Sequence, residues 1–70
     1  MTKPMKYREL TRLLREAGIT FLRQGKGDHE VWSAPGLERP VIVTSTREVS
    51  PAVTRNALRA IEELERMRED

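Results

Sequence analysis

Apolar positions fall into two helical stripes with three short alternating runs between them. From about Met5 to Ala17, the residues Tyr7, Leu10, Leu13, Leu14 and Ala17 share one side of a helix at about 100° per residue. Gly18 follows as a stop signal, because helices often end on a left-handed residue that glycine adopts without strain. Ile19 to Gln24, Asp28 to Ser33 and about Arg39 to Thr44 then carry β-branched and aromatic residues in short runs, which predicts three strands. Gly25-Lys26-Gly27 and Ala34-Pro35-Gly36-Leu37-Glu38 are links of hairpin length, so neighbouring strands run antiparallel. Ser45 to Val49 is polar, has no period and reads as a loop. Ser50 is a natural N-cap and Pro51 a natural first helical residue. They open a second helix with Val53, Ala57, Ala60, Ile61, Leu64 and Met67 on its apolar side. Its opposite side carries Arg59/Glu63 and Glu62/Arg66 as i, i+4 pairs, and Glu69 and Asp70 at the negative end of its dipole predict a frayed last turn.

Two amphipathic helices need a surface to cover, and a three-stranded antiparallel sheet with one apolar face supplies it. The expected fold is therefore α+β, a two-layer α-β-β-β-α sandwich with both helices on one sheet face, the architecture of double-stranded-RNA-binding domains. Seventy residues make one domain, 1–70, with a core over about 5–61 and an acidic helical extension over 62–70. Strand two leaves one question open. Alternation forbids Val31 and Trp32 from both facing the helices. With Val31 inward, Trp32 faces out as a base-stacking or partner-contacting ring; with Trp32 inward, it is the largest core residue.

Composition narrows the chemistry. Hydrophobic residues make up 37%, Trp, Tyr and Phe occur once each, there is no Cys and one His, so disulfides and a His/Cys zinc site are excluded. No apolar run approaches the roughly 18 residues of a membrane span, and a cytoplasmic protein without membrane or metal partners is expected. A net charge of +2 conceals an asymmetry: residues 1–60 hold 11 Lys/Arg and 6 Asp/Glu, residues 61–70 hold 2 and 5. A body at +5 with a tail at −3 favours phosphate-bearing partners. Arg8, Arg12 and Arg15, at i, i+4 and i+7, form one stripe that serves either solvation or RNA phosphates.

His29 is the one side chain whose unperturbed pKa lets it trade protons near neutrality. It follows Gly25-Lys26-Gly27-Asp28, where a glycine turn with free N–H groups and an ammonium can hold a phosphate beside the imidazole. There is no EF-hand spacing, no phosphate-binding glycine loop ending in Lys-Ser or Lys-Thr, and no serine in a nucleophile setting.

Three passages resemble the HicA toxins, small messenger-RNA interferases of bacterial toxin–antitoxin modules. They are Lys6-Tyr7-Arg8-Glu9-Leu10 through Leu13-Leu14 and Ala17-Gly18; Arg23-Gln24 with Gly25-Lys26-Gly27-Asp28-His29-Glu30-Val31-Trp32; and Glu48-Val49-Ser50-Pro51 leading to Thr54 and Leu58. The resemblance implies the α-β-β-β-α fold, cleavage of mRNA without a cofactor, His29 as catalytic base and a HicB-like antitoxin as partner. The family's usual Gly-Ser-His step here reads Gly27-Asp28-His29. In such a reaction His29 takes a 2′-hydroxyl proton, while Lys26 and the N–H groups of Gly25 and Gly27 stabilise the phosphoryl oxygens. Water, Lys26 or His29 in turn supplies the proton for the leaving oxygen. A non-catalytic RNA-binding module and a protein-interaction domain are the alternative readings.

Overall fold

The three alternating runs pair in chain order. A computed structural model, which describes residues 3–68, places β1 at Met5–Lys6, α1 at Tyr7–Glu16, β2 at Thr20–Gln24, β3 at His29–Ser33, β4 at Val41–Thr44, β5 at Glu48–Val49 and α2 at Pro51–Arg68. β2, β3 and β4 form an antiparallel sheet in that order. Leu10 and Leu14 of α1 and Ala57 and Leu64 of α2 meet Trp32, Val41 and Val43 in one buried cluster, so both helices pack against the same side of the strands. Ile42, between two of those valines, points away and is 43% exposed.

Several expected boundaries need correction. The first helix begins at Tyr7, and Met5–Lys6 instead pairs antiparallel with Glu48–Val49, in the register Met5↔Val49 and Lys6↔Glu48. Ser45 to Val49 is therefore irregular only as far as Arg47. Strands of two residues are too short to display a period of two, and this pairing leaves no trace in the hydropathy pattern. The third long strand starts at Val41 rather than Arg39, since Pro40 has no N–H to give a ladder. Asp28 belongs to the turn and Ile19 to the end of α1, so the first two long strands start one residue later than expected.

Helix ends follow the sequence signals more closely. α1 closes with Ile19 N–H donating to Leu14 O (2.8 Å) and Gly18 N–H to Arg15 O (3.0 Å), the paired bonds of a Schellman ending. Arg68, in the last described turn of α2, donates to Ala17 O and so brings a guanidinium to the negative end of α1. At the start of α2, Val53 N–H donates to Ser50 Oγ at 3.4 Å, as an N-cap serine requires. Thr54, absent from the expected apolar side, is fully buried and donates its hydroxyl to Val49 O. Met67 was placed on that side and is 45% exposed. The frayed turn expected at Glu69 and Asp70 lies outside the described residues. Among the described residues, no helix is long and apolar enough to cross a membrane.

Alternation in β3 holds. Trp32 joins the core cluster at 3% exposure. Val31 is also buried, but on the opposite face, where its cross-strand partners are Arg23 and Ile42. A bulge makes this possible: the register shifts between Phe21, opposite Trp32, and Arg23, opposite Val31, with Leu22 as the extra residue.

Candidate functional site at the β2–β3 hairpin

His29 opens β3 at the end of the sheet where the chain turns. His29 N–H donates to Lys26 O (3.0 Å) and closes a β-turn; Gly27 is its first central residue, with φ +61°, a conformation that L side chains rarely adopt. Gly25 N–H donates to His29 O (2.7 Å), and a Cβ at Gly25 would come within 3.3 Å of the His29 Cβ. The Gln24 amide, a residue the sequence reading passed over, donates to Gly27 O (3.1 Å) and His29 O (3.0 Å) and ties the tip together. Ser45 N–H donates to Asp28 O (2.7 Å), anchoring the tip to the end of β4.

These bonds fix the backbone of His29 and leave its side chain unengaged. The imidazole is exposed, and among the described residues it has no protein hydrogen-bond partner. An odd separation from Trp32 puts it on the face away from the helices, with Thr44 as its cross-strand neighbour. Lys26 is exposed in the turn beside it. Gly25, Lys26, Gly27 and His29 are thus brought together, whereas Arg8, Arg12 and Arg15 lie along α1 on the helical side of the sheet.

Of the two orientations open to Trp32 the inward one is observed, so the ring is a core residue and not a base-stacking or partner-contacting one. Phe21 packs edge-on against it at 6.2 Å between centroids, and the Arg15 guanidinium lies 5.8 Å from its ring centre. Arg15 therefore spends part of its charge over an aromatic face rather than in solvent. The indole N–H donates to Glu30 Oε1 at 3.0 Å, and the Tyr7 hydroxyl donates to the same oxygen at 2.6 Å. Sequence reading missed this pair of donors. Alternation could have found the Trp32 half of it, since Glu30 shares the face of Trp32 and a carboxylate directed toward a core needs donors, but Tyr7 is 23 positions away.

Burial, reinforced by the hydrogen bond to Glu30 and its negative charge, raises the Tyr7 pKa to about 12, with Arg15 opposing. The folded state holds this proton more tightly than the unfolded chain, where tyrosine titrates at about 10. Its contribution to stability is therefore complete below about pH 10 and declines as the pH climbs toward the folded value. Tyr7 is the only tyrosine, so phenolate absorbance reports it alone. The native protein is expected to ionise near pH 12, and a native midpoint near the free value of about 10 would refute the partly buried hydrogen bond to Glu30. Tyr7→Phe is expected to remove this part of the alkaline loss of stability.

Charge near the site is largely uncommitted. Among the described residues, the ion pair formed is Arg66–Glu62 on α2 at 3.0 Å, and none involves Lys26, Arg8 or Arg12. No group of three His, Asp or Glu side chains among the described residues is placed to hold a metal ion. No protein-family model, no curated protein and no solved structure matches the chain.

Proposed function

We propose that this chain is an endoribonuclease of the HicA kind, a double-stranded-RNA-binding-like domain that cleaves mRNA in the cytoplasm and is silenced by a HicB-like antitoxin. The observation that carries the reading is His29. Its backbone is held at three points while its imidazole stands free beside a lysine-bearing turn. A structural histidine normally spends its ring on a partner.

In the proposed reaction, neutral His29 removes the 2′-hydroxyl proton and O2′ attacks the adjacent phosphorus. The P–O5′ bond then breaks, leaving a 2′,3′-cyclic phosphate on one product and a 5′-hydroxyl on the other. O5′ takes up one proton, from His29 in turn, from Lys26 or from water. Tyr7 is unsuited to that step, because its proton is bound to Glu30 on the other side of the sheet and its pKa lies at about 12. Lys26 supplies positive charge to the phosphoryl oxygens.

A second reading, RNA binding without cleavage, is favoured by Asp28. This exposed carboxylate sits where the family usually has serine and adds negative charge where a phosphate would approach. Incubating the protein with single-stranded RNA and identifying the product ends separates the two. Cyclic-phosphate and 5′-hydroxyl ends, together with arrested bacterial growth on expression, are expected. Bound but intact RNA with the wild type, and cleavage with Asp28→Ser, would transfer the assignment to the second reading.

A further inference from the structure

Arg47 was assigned no role by the sequence, yet the fold carries it to the first turn of α1. Tyr7 N–H donates to Arg47 O at 3.1 Å, and the β1–β5 pairing places Lys6 beside it. Together Lys6, Tyr7, Arg8, Ser45, Thr46 and Arg47 line a hollow of about 440 Å³ that contains no carboxylate. A second hollow of about 590 Å³ runs along α1, shares Lys6, Tyr7 and Arg8, and adds Arg12 and Arg15, with Glu9 as its one acid. The two adjoin at these three shared residues. The end at Arg47 adjoins the hairpin tip, since Ser45 N–H bonds Asp28 O and Thr44 is paired with His29.

We propose that this groove is the track for the phosphates of single-stranded RNA, in which Lys6 and Arg47 hold the backbone before it crosses the end of the sheet at the hairpin tip to the face that carries His29. The proposal rests on the ribonuclease reading and extends it to residues outside the hairpin. Four of its five cations are arginines, whose planar fork matches phosphate oxygens two at a time. At a rise of about 1.5 Å per residue, Arg8, Arg12 and Arg15 follow one another along the axis at about 6 Å and about 4.5 Å. The groove thus offers a row of cations on the helical side of the sheet, and its Ser45 end reaches the end of the sheet where the hairpin turns.

The test measures binding in a His29→Ala background, so that failure of cleavage cannot be mistaken for failure of the groove. A short mixed-sequence single-stranded RNA and a polyglutamate peptide of equal length are the probes. Lys6→Gln/Arg47→Gln is expected to weaken RNA binding roughly tenfold at low salt and to reduce the slope of log K against log salt by about 1.4, two contacts at about 0.7 each. Arg55→Gln/Arg59→Gln on α2 removes the same charge elsewhere and is expected to change affinity much less. Equal losses in the two variants would show diffuse attraction and overturn the proposal, as would tighter binding of polyglutamate than of RNA, or no RNA binding at all. A melting curve for each variant confirms that the fold is intact. Binding that follows these expectations while the wild type cleaves nothing would leave the groove standing and remove the ribonuclease.

Discussion

His29→Ala is expected to lower RNA cleavage by roughly 10²–10⁴-fold, the usual contribution of a positioned proton carrier, while leaving folding and RNA affinity nearly unchanged. Stability is insulated because the side chain is exposed and its hairpin bonds all use backbone atoms, which alanine retains. A surface change of this kind typically moves stability by no more than about 0.5 kcal/mol. Affinity is insulated because a neutral imidazole adds little to a salt-dependent attraction carried by arginine and lysine. Thermal melting, RNA binding at two salt concentrations and single-turnover cleavage on the same variant test all three statements. Equal cleavage by wild type and variant would remove His29 from the mechanism, and a large drop in melting temperature would make it a structural residue.

Trp32→Ala is expected to have the largest effect on stability, with the expected loss being about 3–5 kcal/mol for truncating a buried aromatic. That approaches the whole stability of a domain of this size, for which a single core rarely supplies more than about 3–5 kcal/mol. The indole fills the cluster shared by both helices, receives the edge of Phe21, and provides one of the two donors to Glu30 Oε1. Its removal opens a cavity and leaves the carboxylate with Tyr7 alone. Denaturant unfolding followed by circular dichroism is expected to find the variant largely unfolded without denaturant. Trp32→Phe keeps much of the volume but loses the N–H, and is expected to fold with reduced stability. A cooperative transition for Trp32→Ala within about 1 kcal/mol of wild type would mean that the ring is peripheral to the core.

Elements long enough to show a period are legible in the sequence. Tyr7, Leu10 and Leu14 announced α1, and Ser50-Pro51 marked the start of α2 within one residue. Val41-Ile42-Val43 is apolar throughout and marked a strand, but which of its residues face the core is shown only by their burial. What stayed hidden was set by partners remote in the chain. Met5–Lys6 becomes a strand only because Glu48–Val49 lies alongside it, and the bulge at Leu22 arises from a register that neither strand specifies alone. The same holds for the candidate site. His29 and its glycine turn are contiguous, so composition and spacing exposed them. Arg47 and Gln24 are ordinary polar residues until hydrogen bonds place one at the head of α1 and the other inside the hairpin. Trp32 could be settled only by the observed register, because either of two adjacent apolar residues satisfies the pattern.

The antiparallel contact between Met5–Lys6 and Glu48–Val49 also bears on the order of events during synthesis. Its partners are separated by 44 positions between Met5 and Val49. At about 5–20 residues per second, a ribosome needs roughly 2–9 s to make the second after the first. Lys6 and Arg47 come to line one hollow only once that contact exists, so a nascent chain that has completed α1 and the His29 hairpin still lacks the mouth of its cationic groove. If the ribonuclease proposed above is correct, the chain in this way acquires its full grip on RNA only late in its own production.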